Sequence, residues 1–165
     1  MNLKSKKFMI KTEAIILKSA DSNEVDRLLI VYSEKLGKIN ISAKGVKKLE
    51  SKLRYSIESI SWVQMILVEG KNILILKDAV IKDQFLKIKK DSEKLKIVGQ
   101  IADLIDEAIA GQEKDECIWK LILSIFKNIN EDKISLKSAI SDFEKNLIKL
   151  LGYDPEAMKN LKDIY

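Results

Sequence analysis

The sequence contains no histidine and only one cysteine, Cys117, among its 165 residues. Histidine is the commonest general base and metal ligand near neutral pH, so its absence argues against most acid–base catalysis and against a zinc centre. A lone cysteine cannot form a disulfide within the chain, which predicts a reducing compartment. We therefore expect no metal, no disulfide and no enzymatic activity, with Cys117 packed within a helix rather than acting as a nucleophile.

Glycine and proline are also scarce, with six glycines and one proline. The glycines form neither a phosphate-binding loop nor a dinucleotide-binding fingerprint, so we expect no cofactor and no small-molecule substrate. No apolar run is long enough to cross a membrane. The basic residues 1–7 are followed by only three apolar ones, Phe8, Met9 and Ile10, which is too short a stretch for a signal peptide. These absences predict a cytoplasmic binding protein without a membrane partner.

Positive charge is abundant but unevenly distributed. The net charge is +5, yet residues 1–54 carry 13 basic and 6 acidic groups, a net of +7, and residues 55–165 carry 17 and 19, a net of −2. Between positions 35 and 54 there is one acid, Glu50, and seven basic residues: Lys35, Lys38, Lys44, Lys47, Lys48, Lys52 and Arg54. Such a cluster binds polyanions because each neutralised phosphate releases condensed counterions. The cluster predicts nucleic-acid binding, although a solvated lysine-rich loop would show the same charges.

Period-two patterning in the first half of the chain predicts five β-strands. They are expected at residues 12–18, 25–32, 38–43, 61–69 and 73–81, with a polar turn at residues 19–23 between the first two. Gly70-Lys71-Asn72 predicts a hairpin between the last two, because Gly and Asn tolerate the positive φ of tight turns. Five strands without a long helix among them predict that residues 1–82 form a five-stranded OB-fold barrel.

After residue 82 the apolar pattern changes to the period of helices. Amphipathic helices are expected at residues 92–110, 117–129 and 136–151. Gly111 and Gly152 follow the first and the last of them, where glycine commonly ends a helix. Because three apolar faces can pack on one another, residues 83–165 are expected to form a small all-helical domain. The predicted fold class is thus β + α, a barrel followed by helices.

Aromatic residues are few, at 6% of the chain. The binding face of an OB-fold commonly combines a basic groove with exposed rings on which bases stack, and Tyr32, Tyr55 and Trp62 are the candidates here. Trp62 is flanked by Ile60 and Val63, which favours a place in the barrel core. Tyr55 directly follows the basic run and is the better stacking candidate.

The order of features at both ends of the chain resembles the RecO family of bacterial recombination mediators. The run EAIILKSADSNEVDRLLIVYSEKLGKINISAKGVKK at 13–48 contains the family's Glu-x-Asp-Arg-Leu-Leu, Gly-Lys and Ala-Lys-Gly elements in order, and FEKNLIKLLGYDPE at 143–156 resembles its helix ending in Leu-Gly-Tyr-x-Pro. The resemblance implies an OB-fold, a helical domain and a nucleoid-associated protein that binds single- and double-stranded DNA. It also implies strand annealing, and recombinase loading with the partners RecR and single-strand-binding protein.

The resemblance implies DNA contacts at Lys38 and Lys44, with the other basic residues of the same loop as charge equivalents. The predicted nucleic-acid-binding residues are Lys35, Lys38, Lys44, Lys47, Lys48, Lys52, Arg54, Tyr55 and Arg27. For Arg27, a structural ion pair with Glu24 or Asp26 explains the sequence as well as a DNA contact does.

The sequence departs from the family pattern after Pro155. Family members usually continue, many with a four-cysteine zinc module, whereas ten residues without cysteine follow here. We therefore expect a short form without the zinc module and with a reduced helical domain. A protein–protein adaptor in a repair complex, with little DNA binding of its own, is the alternative function.

Overall fold

A computed structural model describes residues 8–153 of the chain. The elements within those residues are strands β1 (Met9–Asp21), β2 (Arg27–Ser33), β3 (Gly37–Ala43), β4 (Ser61–Glu69) and β5 (Leu74–Asp83), a 3-10 helix at Lys52–Tyr55, and helices α1 (Leu86–Lys90), α2 (Ser92–Ala108), α3 (Glu116–Asn130) and α4 (Leu136–Leu150). Strands come first and helices second, as the sequence predicts.

The five strands form a closed barrel in the order β1-β2-β3-β5-β4. Neighbouring strands are antiparallel except β3 and β5, which run parallel over a short stretch. A five-stranded barrel of this order is the OB-fold, so the predicted fold class is confirmed. Closure leaves the strands with few unpaired edges.

Alternate residues of each strand point into the barrel, because side chains on a strand alternate between its two faces. The buried core from the strands includes Ala14, Ile16, Leu29, Val31, Ile39, Ile41, Val63, Met65, Leu67 and Leu76. The long connection between β3 and β4 adds Val46 and Ile57 to the same core. The basic loop is therefore held to the barrel by its own apolar residues.

The turn between β1 and β2 lies later than predicted, at residues 22–26. Residues 19–21 continue β1, because an irregularity at Leu17 lets the strand go on pairing with β2 as far as Asp21 and Arg27. β2 begins at Arg27 because Asn23 Oδ1 accepts hydrogen bonds from the backbone N–H groups of Val25 and Asp26, both at 2.9 Å. Those two N–H groups are taken by the turn instead of the sheet.

Helices α2, α3 and α4 begin and end within two residues of the predicted positions. Helix α1 was not predicted, since five residues are too few to show a helical period. The expectation that Cys117 packs within its helix was wrong: it is exposed on α3, because it lies nine positions before the buried Phe126 and so on the opposite face of the helix. Among residues 8–153, no helix is long and apolar enough to cross a membrane.

The described residues divide into two compact units. One comprises residues 8–84 and the segment Ile109–Lys114, and the other comprises Phe85–Ala108 and residues 115–153. The segment Ile109–Lys114 thus follows a helix in the chain but belongs to the barrel unit. Its contact with the barrel is close at Gly37, where a Cβ atom would lie 2.3 Å from the backbone oxygen of Glu113.

Candidate nucleic-acid interface

The barrel separates the predicted basic residues into two groups. Six of them lie at the end where β1 ends, β2 begins and β3 ends, which we call the basic end: Arg27, Lys44, Lys47, Lys48, Lys52 and Arg54. Lys35 lies in the turn between β2 and β3, and Lys38 lies one residue into β3. Because a strand rises about 3.3 Å per residue, the two ends of β3 are roughly 20 Å apart.

Lys38 lines a cavity of its own. The cavity has a volume of about 530 Å³ and is also lined by Asn40, Gly70, Asn72 and Gln112. Lys38 is half-buried there, whereas Lys35 is exposed in its turn. Neither residue therefore adds to the charge of the basic end at short range.

The start of the basic loop is hydrogen-bonded to the turn between β1 and β2. The backbone N–H of Gly45 donates to Asp26 Oδ1 at 2.7 Å, and the backbone N–H of Lys47 donates to the carbonyl of Val25 at 3.0 Å. Asn23 Nδ2 donates to the other carboxylate oxygen of Asp26 at 2.8 Å. These bonds join two loops into one support for the basic side chains.

Asp21 binds two of the cations. Its Oδ1 accepts from Arg27 Nε at 3.2 Å, and its Oδ2 accepts from Lys47 Nζ at 2.9 Å. The Arg27 and Lys47 side chains are 34% and 30% exposed, so solvent and ligands still reach both. Neither Glu24 nor Asp26 is the ion-pair partner of Arg27, because Asp21 lies directly opposite Arg27 in the β1–β2 ladder.

The other basic side chains of this end project into solvent. Lys44, Lys48, Lys52 and Arg54 are all exposed, and none of them forms an ion pair with a carboxylate within residues 8–153. Their charges are thus screened by solvent and available to an external anion. Together with Arg27 and Lys47, which share the single carboxylate of Asp21, they make this end a polycationic surface.

Tyr55 stands next to these cations and is 67% exposed. The guanidinium carbon of Arg54 lies 5.8 Å from the centre of its ring. A groove with a volume of about 290 Å³ opens here, lined by Arg27, Val46, Lys47, Arg54, Tyr55, Ile57 and Glu58. We call it the Tyr55 groove. An exposed ring among cations is the combination on which unpaired bases stack.

The other two aromatic candidates are placed differently. Tyr32 is completely buried, so its prediction as a stacking residue was wrong. The core position expected for Trp62 was also wrong, since Val63 and Met65 point inward and Trp62 therefore lies on the outer face of β4. Its Nε1 donates to Glu13 Oε2 at 3.0 Å, and Lys82 Nζ lies 4.9 Å from the centre of its ring.

Residues 8–85 match the family model described as Recombination protein O N terminal. The chain is also 32% identical over 145 residues to the DNA repair protein RecO of Clostridium perfringens, an alignment that covers 88% of this chain and 59% of that relative. The chain is thus similar to RecO proteins. The match to the N-terminal family model spans all five strands and the whole basic end of the barrel.

Other RecO proteins are similar to this chain over the same extent. The identity is 29% over 145 residues to DNA repair protein RecO of Clostridium novyi, covering 88% of this chain and 57% of the relative. It is 28% over 146 residues to that of Clostridium acetobutylicum, covering 88% and 59%. The chain therefore spans about three fifths of the length of these RecO relatives.

Three polar residues hold the two loops of the basic end together, a role that was not predicted for them from the sequence: Asp21, Asn23 and Asp26. Two aspartates and an asparagine within six positions do indicate a hydrogen-bonded turn. Which loop they bind depends on the pairing of β2 with β3, and that pairing is visible only in the barrel.

The carboxylates of Asp21 and Asp26 make the stability of the folded protein depend on pH. The hydrogen bond from Lys47 lowers the pKa of Asp21, and the hydrogen bonds from Asn23 and from the Gly45 backbone lower the pKa of Asp26. A lowered pKa stabilises the folded state above the unfolded value of about 3.9, and this contribution is lost as pH falls through the folded pKa. We therefore expect the melting temperature to fall as the pH drops below about 4.

Asp26→Asn tests this dependence. The variant should melt at a lower temperature than the parent at pH 7, and the two curves should converge as the pH falls through the lowered pKa of Asp26, where the parent carboxylate becomes protonated. Melting followed by circular dichroism between these pH values measures the effect. Glu24→Gln, which removes the same charge from an exposed position of the same turn, is the control and should keep the parent profile. A constant difference between Asp26→Asn and the parent at all pH values would contradict the assignment.

Proposed function

We propose that this protein is a non-enzymatic DNA-binding mediator of repair and recombination that binds single- and double-stranded DNA at the basic end of its barrel. The observation that carries the proposal is the Tyr55 groove, where Arg27, Lys47 and Arg54 line one groove together with an exposed ring. The relatives are named DNA repair protein, which supports the proposed role in repair.

The proposed binding is electrostatic and independent of sequence. Lysine and arginine side chains on a loop contact phosphates, which are the same in every sequence. Stacking on a tyrosine is also tolerant of sequence, because every base offers a flat face. Such a surface suits a protein that must act wherever a strand is damaged.

Strand annealing and recombinase loading are the roles we propose for the bound state. Annealing requires that two anionic strands approach each other, and a polycationic surface lowers their repulsion. RecR and single-strand-binding protein are the proposed partners, on the basis of the family resemblance. A protein–protein adaptor role is the outcome to be considered if DNA binding fails.

Binding of fluorescent oligonucleotides at several salt concentrations tests the proposal. If four to six cations of the basic end contact phosphates, log affinity for a single strand should fall against log salt with a slope of about −3 to −4. Fluorescence anisotropy measures it for single strands and for duplexes of the same length. Absence of salt-dependent binding to both would overturn the proposal and leave the adaptor role.

Asp21→Asn should increase DNA affinity. The Asp21 carboxylate competes with phosphate for Arg27 and Lys47, so removing its charge should raise affinity on the order of two- to five-fold at low salt and steepen the salt slope. The same titration measures the change. Glu50→Gln removes an equal charge from the same loop without touching Arg27 or Lys47, and it should give a smaller gain. An affinity that falls in Asp21→Asn would show that Asp21 is needed to orient the two cations.

A further inference from the structure

The Tyr55 groove has one part that suits a planar group. The ring of Tyr55 and the guanidinium group of Arg54, whose carbon lies 5.8 Å from the ring centre, give it two flat surfaces. Val46 and Ile57 also line the groove, but they are 2% and 0% exposed and belong to the barrel core. Nucleobases stack on both aromatic rings and guanidinium planes.

The other part of the groove suits an anion. Arg27 and Lys47 contribute two cations, which lie side by side on Asp21 at 3.2 and 2.9 Å from its oxygens. Glu58 also lines the groove, and its carboxylate repels a phosphate. A ligand that carries both a flat base and a phosphate is a nucleotide.

We infer that the Tyr55 groove holds one unpaired nucleotide of a DNA strand, with its base against Tyr55 and Arg54 and its phosphate on Arg27 and Lys47. The inference rests on the proposed function and narrows it to DNA that offers an unpaired base. The groove volume of about 290 Å³ lies just below the range of about 300–1,000 Å³ for small-ligand sites, so the groove has room for one nucleotide at most.

The consequence is a preference among DNA structures. The faces of paired bases are covered by their neighbours, so an intact duplex can reach the phosphate-binding part of the groove only. Single strands, gaps and extruded bases can fill both parts. The groove therefore adds affinity for unpaired DNA on top of an electrostatic attraction that all DNA shares.

Two DNA strands of equal length and equal charge separate the affinity that comes from the bases from the affinity that comes from electrostatic attraction. One is an oligothymidylate, and the other has the same sugar–phosphate chain with every base removed. The parent protein should bind the strand with bases roughly 5- to 100-fold more tightly, since stacking on an aromatic side chain has that effect. Fluorescence anisotropy at one fixed salt concentration measures both affinities.

The Tyr55→Ala variant should lose this preference. It should bind both strands with the affinity of the parent for the strand without bases, while its salt slope and its affinity for a blunt duplex stay unchanged. Tyr55→Phe keeps a flat ring and should keep the preference. Tyr153→Ala is the matched control, because Tyr153 is also an exposed aromatic residue, 61% exposed, and follows α4 far from the basic loop in the chain.

The outcomes distinguish this inference from the proposed function. If the parent binds both strands equally and with a normal salt slope, the groove takes no base, and DNA binding at the basic end still stands. A preference that survives in Tyr55→Ala also overturns the inference. If the parent binds no strand at all, the proposed function fails together with the inference. Should Tyr55→Ala melt at a lower temperature than the parent, Arg54→Gln replaces it, with a partial loss of preference expected.

Discussion

Replacing Lys44, Lys48 and Lys52 together by alanine should weaken binding to single-stranded DNA on the order of 100-fold at about 50 mM salt. All three side chains are exposed on the connection between β3 and β4. If each contacts one phosphate, each contributes about −0.7 to the slope of log affinity against log salt, so the slope should flatten by about two units. The loss of affinity should be similar for all DNA sequences, because phosphates carry no sequence information.

The triple variant should keep its stability, because these three lysines form no ion pair with a described carboxylate. A matched control replaces Lys137, Lys145 and Lys149, three exposed lysines of α4, and so changes the net charge by the same amount. Binding titrations at three salt concentrations measure both variants. If the α4 variant lost as much affinity as the loop variant, binding would depend on overall charge, and the basic end would not be the site.

Much of the fold could be predicted from the sequence because its patterning is local. The alternation in β3 and β4 follows from one buried face, and the strand bounds Ser61–Glu69 agree with the prediction. The helical stripes of α3 and α4 likewise report one buried face each. Patterns of this kind depend only on neighbours in the chain.

The errors occurred where a contact distant in the chain decides the outcome. Tyr32 and Trp62 look alike as aromatic residues in strands, yet one is fully buried and the other forms a hydrogen bond with Glu13. Burial of an outward-facing residue depends on what covers the strand, which strand periodicity does not encode. Lys38 and Lys44 could have been separated from the sequence alone, because a strand predicted at residues 38–43 already places them roughly 20 Å apart.

The arrangement of the site residues also depends on contacts between residues that are distant in the chain. The basic loop was predicted from its charge alone, but the groove requires Arg27 from β2 beside Lys47 and Arg54 from the loop. Their proximity follows from the pairing of β2 with β3 and from the bond between Gly45 and Asp26, 19 residues apart in the chain. Composition therefore predicts which ligand is attracted, and the barrel topology determines where it can bind.

Gly37→Ala should strongly destabilise the barrel unit. Gly37 has a φ of 70°, in the left-handed region that costs other residues about 1–2 kcal/mol. Its new Cβ would also lie 2.3 Å from the oxygen and 2.8 Å from the carbon of the Glu113 backbone, so the segment Ile109–Lys114 would have to move. Forced shifts of packed groups typically cost about 1–3 kcal/mol. We expect the free energy of unfolding to fall by about 3 kcal/mol in total.

Gly45→Ala separates the two contributions. Gly45 has a φ of 66°, but the nearest atoms to its new Cβ are carbons of the flexible Lys48 side chain at 3.8 Å. At Gly45 only the left-handed backbone conformation is costly, so the free energy of unfolding should fall by about 1 kcal/mol. Urea unfolding measures both variants, and limited proteolysis should cut Ile109–Lys114 faster in Gly37→Ala than in Gly45→Ala. Equal losses in the two variants would mean that the segment moves aside without cost, and that its contact at Gly37 does not stabilise the barrel unit.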